Sequence, residues 1–157
     1  MTDDPSSAKP GLTAAELAAH PTVFADGAFR DQVVVVSGGA GGIGRAIAWL
    51  FARLGAHVAL VGRDQGKLDA LVDQLTGRGL KASAHAADIR EPEAVGALFD
   101  AIWEEQGRID SLVNSAGGQF PQAAIDFSVK GWNAVISTNL NGTWYMMQAA
   151  AQRWRDH

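Results

Sequence analysis

The run Val33-Val34-Val35-Val36 passes directly into Ser37-Gly38-Gly39-Ala40-Gly41-Gly42-Ile43-Gly44, and an apolar pattern with helical spacing begins behind it. Four consecutive β-branched residues read as a strand buried on both faces of a parallel sheet. Glycines between such a strand and a helix let the backbone approach a ligand closely. The helix start then offers unpaired N–H groups and the positive end of its dipole. Strand, glycine turn and helix in that order describe a pyrophosphate site. The glycines fit two registers. Gly39, Gly41 and Gly44 match the general G-x-G-x-x-G, whereas Ser37, Gly38, Gly42 and Gly44 match [ST]-G-x-x-x-G-x-G.

Around this turn the chain divides into alternating units. Met1 to Leu12 is a polar tail, and Thr13-Ala14-Ala15-Glu16 is a capping-box pattern for a short helix reaching Ala19 ahead of Pro21. Val23 to Asp31 reads as a lead-in packing under the sheet. Behind the glycines, Ile43, Ile47, Leu50, Phe51 and Leu54 share one helical face, which Gly55 closes. His57 to Val61 is a second strand, and Asp64 caps a helix with the stripe Leu68, Leu71, Val72 and Leu75. Lys81 to Ala87 is a third strand. Pro92 opens a helix carrying Val95, Leu98, Phe99 and Ile102. Ile109 to Asn114 is a fourth strand, and Ser128 starts a long helix through Trp132, Val135, Ile136, Asn139, Met146 and Ala150.

This alternation gives an α/β fold, a doubly wound parallel sheet (Rossmann fold) with right-handed crossovers, stopping after about four strands. With the first strand central, the expected order is 3-2-1-4. Residues 1–30 form the tail and lead-in, and residues 31–157 the N-terminal part of a dinucleotide-binding domain.

An acid near the end of the second strand ordinarily holds the adenosine ribose hydroxyls. Here that position is Gly62, followed by Arg63 and Asp64. A guanidinium with no carboxylate in its way suits a 2′-phosphate by charge and by bidentate geometry, so NADP(H) is preferred over NAD(H). Asp64 is a competing partner for the ribose, although capping accounts for it. Asp88, ending the third strand, can accept from an adenine amino group with the Ile89 amide beside it, or can cap the helix ahead of Pro92. Asn114-Ser115-Ala116-Gly117 leaves room for a cofactor at the end of the fourth strand.

Composition excludes several other functions. With 47% hydrophobic and 19% charged residues, the chain can bury a core, and a net charge of −4 gives no reason to expect nucleic acid or an anionic membrane. The absence of cysteine removes disulfides, thiolate catalysis and most structural zinc sites, and suits the cytoplasm. No signal-peptide pattern or membrane-length apolar run occurs. His20, His57, His85 and His157 have no metal spacing, so no metal is expected.

The chain resembles the short-chain dehydrogenase/reductase family, classical type, from about residue 30 to 155. Ser37-Gly38-x-x-x-Gly42-Ile43-Gly44 is similar to the family's T-G-x-x-x-G-I-G, Asn114-Ser115-Ala116-Gly117 to N-N-A-G, and Asn139-Leu140-Asn141-Gly142 to the N-x-x-G of its fourth long helix. The runs Gly117-Gly118-Gln119-Phe120-Pro121, Lys130-Gly131-Trp132 and Thr138 to Thr143 look like the trans-2-enoyl-CoA reductase branch and its bacterial relatives acting on acyl-CoA or terpenoid substrates. The resemblance implies hydride transfer to or from a carbonyl, alcohol or enoyl-CoA. It also implies a cofactor site of Ser37, Gly38, Gly42, Ile43, Gly44, Arg63, Asp88, Ile89, Asn114, Ala116 and Gly117, and a homo-oligomer built partly on the long helix.

Asn139 is the one residue that carries over from the family's Asn-Ser-Tyr-Lys tetrad. The only tyrosine is Tyr145, and Ala149 stands where the lysine should follow four residues later. The chain therefore reads as the N-terminal part of a longer enzyme, with a non-catalytic dinucleotide-binding or dimerising fragment as the alternative. A methyltransferase would need an acid where Gly62 stands and would leave Asn114 to Gly117 and Asn139 unexplained.

Overall fold

The structure is a computed structural model in which residues 11–157 are described; most of the polar tail lies outside them. The short helix α1 (Ala14–Ala19) starts as its capping box dictates. Thr13 Oγ1 accepts from the Glu16 amide at 3.2 Å, and the Thr13 amide donates to Glu16 Oε2 at 2.7 Å. Then follow β1 (Val33–Ser37), α2 (Gly42–Arg53), β2 (His57–Gly62), α3 (Gln65–Thr76), β3 (Lys81–Ala86), α4 (Pro92–Gln106) and β4 (Ser111–Asn114). The four strands are parallel in the order β3-β2-β1-β4, as the doubly wound reading requires. This is a Rossmann-type sheet.

Two apolar layers sandwich the sheet. Val33 and Val35 face Val95, Phe99 and Ile102 of α4, while Val34 and Val36 face Ala48 and Trp49 of α2 and Leu68, Leu71 and Leu75 of α3. Every residue of β1 is buried, which is why that strand lacks polar alternation. Leu17 carries α1 onto the α2 side, where Arg53 donates to its carbonyl at 2.9 Å. In the lead-in, Phe29 meets Phe51 edge-to-face at 4.7 Å, but Val23 and Phe24 are exposed and pack under nothing.

Several local expectations change. Within α2 the buried residues are Gly44, Ala48, Trp49 and Ala52; of the expected stripe, Leu54 is buried and Ile47 and Phe51 pack partly against the core, but Ile43 is 75% exposed. Small residues at four-residue spacing let the helix axis lie close to the sheet, so the larger aliphatics flank the contact. Strand β4 begins at Ser111, two residues later than read; ahead of it the Val33 amide donates to the Asp110 carboxylate at 2.7 Å, and the Ile109 carbonyl accepts the Trp154 indole N–H at 2.7 Å. Strand β3 ends at Ala86, one residue earlier than read.

The long C-terminal helix is interrupted. Ser128 caps α5 (Val129–Ile136) by accepting from the Gly131 amide at 3.0 Å; a π-helical turn over Ser137–Gly142 follows, then α6 (Thr143–Asp156). Met146, Ala149 and Ala150 are buried in the α4 layer. Trp132, Leu140, Trp144 and Met147 are about half exposed, so the apolar content of this helix is only partly core. Among the described residues, no helix is long and apolar enough to cross a membrane.

Candidate functional site

The carboxyl ends of the strands open onto a cleft of about 690 Å³, with Gly38, Gly62, Arg63, Asp88, Ala116 and Gly117 among its lining residues. Its floor is the glycine turn. Gly38 has φ +68°, and a Cβ there would stand 2.7 Å from the Ala116 amide nitrogen, so the turn and the segment after β4 touch backbone to backbone. A Cβ on Gly44 would meet the Gly38 carbonyl oxygen at 2.2 Å. At Gly42 a Cβ would meet nothing within 4 Å. Gly38 and Gly44 therefore serve the fold of the turn, and Gly42 keeps open the space in front of α2.

Gly41 precedes α2 without any side-chain capping bond. The first amides of that helix thus lack the side-chain acceptor that usually satisfies them, which is the arrangement of an anion site. A pyrophosphate fits this turn on both counts: open space at Gly42 and uncapped amides behind it.

Ser37 lies beneath the turn, fully buried. Its hydroxyl donates to Asn114 Oδ1 at 3.4 Å and accepts from the Ala116 amide at 3.3 Å. Ser37 and Asn114 therefore pin the end of β1 to the end of β4 and support the cleft without lining it. Ile43 stands exposed at the start of α2. Ile89 is buried, and its side chain lies against Gly142, where a Cβ would come within 2.8 Å of Ile89 Cδ1.

Along the adenosine side the charges are sorted into pairs. Asp64 caps α3 by accepting from the Lys67 amide at 3.1 Å, and its other oxygen lies 3.2 Å from Lys67 Nζ. Asp88 does not cap α4, whose start is Glu91 without a side-chain bond. Instead Asp88 Oδ1 accepts from the Arg90 amide at 3.0 Å, and the Arg90 guanidinium closes on both carboxylate oxygens. That contact, with the more distant Arg63 charge, holds the Asp88 carboxyl down at about 2. Arg63 is exposed on the cleft and makes no ion pair or side-chain hydrogen bond among the described residues.

At the other end, Asn139 projects from the π-helical turn. Its Oδ1 accepts from the Gly118 amide at 3.0 Å and its Nδ2 donates to the Gly118 carbonyl at 2.9 Å. A carboxamide bonded to both the amide and the carbonyl of one residue in this way ties the loop after β4 to the long helix.

The cleft also recruits Lys67, Arg90 and Thr138, which the sequence reading missed. Lys67 follows a capping Asp by three residues, and Arg90 follows the strand-ending Asp by two. Both spacings return a side chain to the same strand end, and that is the signal that could have found them.

These features define a Rossmann-type α/β protein with a cleft at the carboxyl ends of its strands. The family described as short chain dehydrogenase matches residues 32–157, and the chain belongs to that family. A peroxisomal 2,4-dienoyl-CoA reductase of Arabidopsis thaliana is 36% identical over 121 residues, covering 77% of this chain and 41% of that protein. The solved citronellol catabolism dehydrogenase of Pseudomonas aeruginosa PAO1 superposes with a TM-score of 0.81 at 41% identity, over 84% of this chain and 54% of that one. A metagenomic short-chain oxidoreductase solved in complex with NADP superposes with a TM-score of 0.74 at 36% identity, over 79% of this chain and 57% of that one. The chain spans about half the length of the curated relatives it matches.

Proposed function

We propose that the protein is an NADP(H)-dependent oxidoreductase acting on a carbonyl, alcohol or enoyl-CoA substrate. The observation that carries the cofactor preference is the charge sorting in the cleft. Asp64 and Asp88 are each engaged by a cation of their own, which leaves the Arg63 guanidinium for a phosphate. Asp64 is committed to its cap and to Lys67, which argues against the ribose-diol role that would select NAD(H).

In this reading the amides at the start of α2 hold the pyrophosphate, with Gly42 giving it room. Asp88 and the Ile89 amide face the adenine. When bound, the nicotinamide supplies or accepts the hydride. Asn139 positions the loop carrying Gly117 and Gly118 beside it, and holds the helix backbone where a proton relay would pass. The acyl-CoA or terpenoid class of substrate is supported by the relatives named dienoyl-CoA reductase and citronellol catabolism dehydrogenase. The half-exposed Trp132, Leu140, Trp144 and Met147 support association with a second copy. A cysteine-free chain suits the cytoplasm.

Titration of NADPH and NADH by fluorescence or calorimetry tests the assignment. Arg63→Ala is expected to weaken NADPH by about tenfold or more, the worth of one charged hydrogen bond, and to leave NADH unchanged. Unchanged NADPH affinity would remove the preference. Crotonyl-CoA or a simple ketone with NADPH tests turnover. We expect none from the 157 residues, because Asn139 is their only tetrad member; clear turnover would overturn that assignment of roles.

A further inference from the structure

Both ends of α2 are clamped to the segment that precedes the sheet, and by the same kind of bond. Arg45, in the first turn of the helix, donates to the Leu12 carbonyl at 2.8 Å; Arg53, in its last turn, donates to the Leu17 carbonyl at 2.9 Å. Arg45 also donates to Gln74 Oε1 of α3 at 3.4 Å. Leu17 is buried in one layer with Ala48, Trp49 and Ala52, and Ala14 and Ala18 pack against that layer, so α1 lies on α2 as a strap. The strap stands ahead of residue 32, where the match to the family begins.

The glycine turn has little of its own to fix it. Glycine loses more backbone freedom on ordering than any other residue, and Gly41 brings no capping bond to the start of α2. Arg45 is the first residue of α2 whose side chain is bonded to another element. Its amide donates to the Gly41 carbonyl at 2.6 Å, and the Gly41 amide donates to the Gly38 carbonyl at 2.9 Å. A restraint on Arg45 therefore reaches the turn through two backbone bonds, although Arg45 does not line the cleft. We propose that Arg45 is a positioning residue for the dinucleotide. Clamped by the strap, it holds the first turn of α2 in place before the pyrophosphate arrives, so that less ordering is left to binding. Arg53 makes its bond about 12 Å further along the helix and serves stability alone. This inference rests on the dinucleotide reading and is indifferent to the 2′-phosphate.

The test is a set of NADPH and NADH titrations and thermal melts on the full chain. The variants are Arg45→Met, Arg45→Lys, Arg53→Met, Leu17→Ser and the Arg45→Met, Leu17→Ser double variant. Arg45→Met is expected to weaken both dinucleotides by about fivefold, the equivalent of one hydrogen bond, and to leave their ratio unchanged. Arg53→Met should lower the melting temperature as much and bind as the wild type does. Leu17→Ser lifts the strap and leaves the Arg45 charge in place. It should weaken binding as Arg45→Met does, and the double variant should bind no more weakly than either. Arg45→Lys keeps the reach and a donor, and should restore most of the affinity. Amide exchange should quicken over residues 41–46 in Arg45→Met and Leu17→Ser but not in Arg53→Met.

If Arg53→Met weakens binding as much as Arg45→Met, or if neither weakens it, the clamp is structural only and the positioning role is overturned. If Arg45→Met weakens binding and Leu17→Ser does not, Arg45 acts through its charge and the strap has no part in it. If the wild type binds neither dinucleotide, the underlying reading fails and takes this inference with it.

Discussion

Gly42 and Gly44 lie two residues apart in the same turn, and the structure assigns them opposite burdens. A Cβ at Gly44 would stand 2.2 Å from the Gly38 carbonyl oxygen and 2.8 Å from its carbon, both backbone atoms. Because real contacts of this kind do not fall below 3.0 Å, the turn would have to open by the difference. Overpacking of this kind costs about 1–3 kcal/mol. Alanine recovers up to about 1 kcal/mol of helix propensity. With that recovery the net loss for Gly44→Ala is up to about 2 kcal/mol, or a melting temperature lower by up to roughly 8 °C for a chain of this size. At Gly42 the same methyl meets nothing, so Gly42→Ala is expected to melt at or slightly above the wild-type temperature.

Binding should invert that order of harm. In the proposed reading the pyrophosphate lies over the uncapped amides of α2, so a Gly42 methyl would crowd it, and loss of one charged contact there weakens NADPH by about tenfold or more. Paired melts and NADPH titrations on the two variants separate the effects. If Gly42→Ala melted as early as Gly44→Ala, the open space at Gly42 would be misread. If it bound NADPH as tightly as the wild type, the pyrophosphate would not lie over those amides.

Three further outcomes are expected. Asn139→Ala removes both bonds to Gly118 and should cost about 1–2 kcal/mol, with faster proteolysis between residues 118 and 128 as the local readout. His57 and His85, whose Nε2 atoms each lie 2.9 Å from Ser83 Oγ, are both lowered chiefly by burial, with Lys81 adding to the effect at His57 and Glu105 opposing it at both. Their folded-state values lie below the unfolded 6.5, so the stability they contribute is present above that pH and is lost as the pH falls through the folded values. Urea midpoints at pH 7.5 and 5.5 should therefore drop on acidification, and less so in a His57→Gln, His85→Gln variant. Phe99, fully buried against β1, should cost about 3–5 kcal/mol on truncation to Ala, measured as a urea midpoint at unchanged slope; the half-exposed Phe24 should change it by less than about 0.5 kcal/mol.

The sheet was legible because its signals are local. Four valines in a row leave no solvent face, so β1 had to be central, and its neighbours followed from strands alternating with helices. The capping residues Thr13, Asp64 and Ser128 were legible for the same reason, since an N-cap bond spans only three residues. What escaped depends on distance across the fold. The face of α2 was read only in part: Leu54 is buried and Ile47 and Phe51 pack against the core, but Ile43 is exposed, and Gly44, Ala48, Trp49 and Ala52 turn inward. Asp88 was ambiguous in sequence between a cap and a cleft ligand, and only the closure of Arg90 on it decides against the cap. Ser37 was placed among the ligands because its motif position is known. Its hydroxyl proves to be spent on Asn114 and the Ala116 amide, contacts made by residues 77 and 79 positions away.

The π-helical turn left no trace in the apolar pattern, and its physics shows why. Gly131 before it, Gly142 within it and Met146, Ala149 and Ala150 after it are buried, so spacing alone reads as one continuous helix. The only local sign is compositional: Ser137, Thr138, Asn139, Asn141 and Gly142 are weak helix formers clustered in an otherwise apolar stretch. Two contacts exploit that weakness. Gly142 brings the backbone flush against Ile89, and three residues earlier Asn139 reaches the amide and the carbonyl of Gly118. A strong helix former at either position would lose one of these contacts. The turn is therefore held open by the loops after β3 and β4, the same loops that line the cleft. The turn thus meets the loop after β3 through the Ile89 side chain and the loop after β4 through the Asn139 carboxamide. That linkage, rather than any charge on Asn139, is why a neutral carboxamide suits the position.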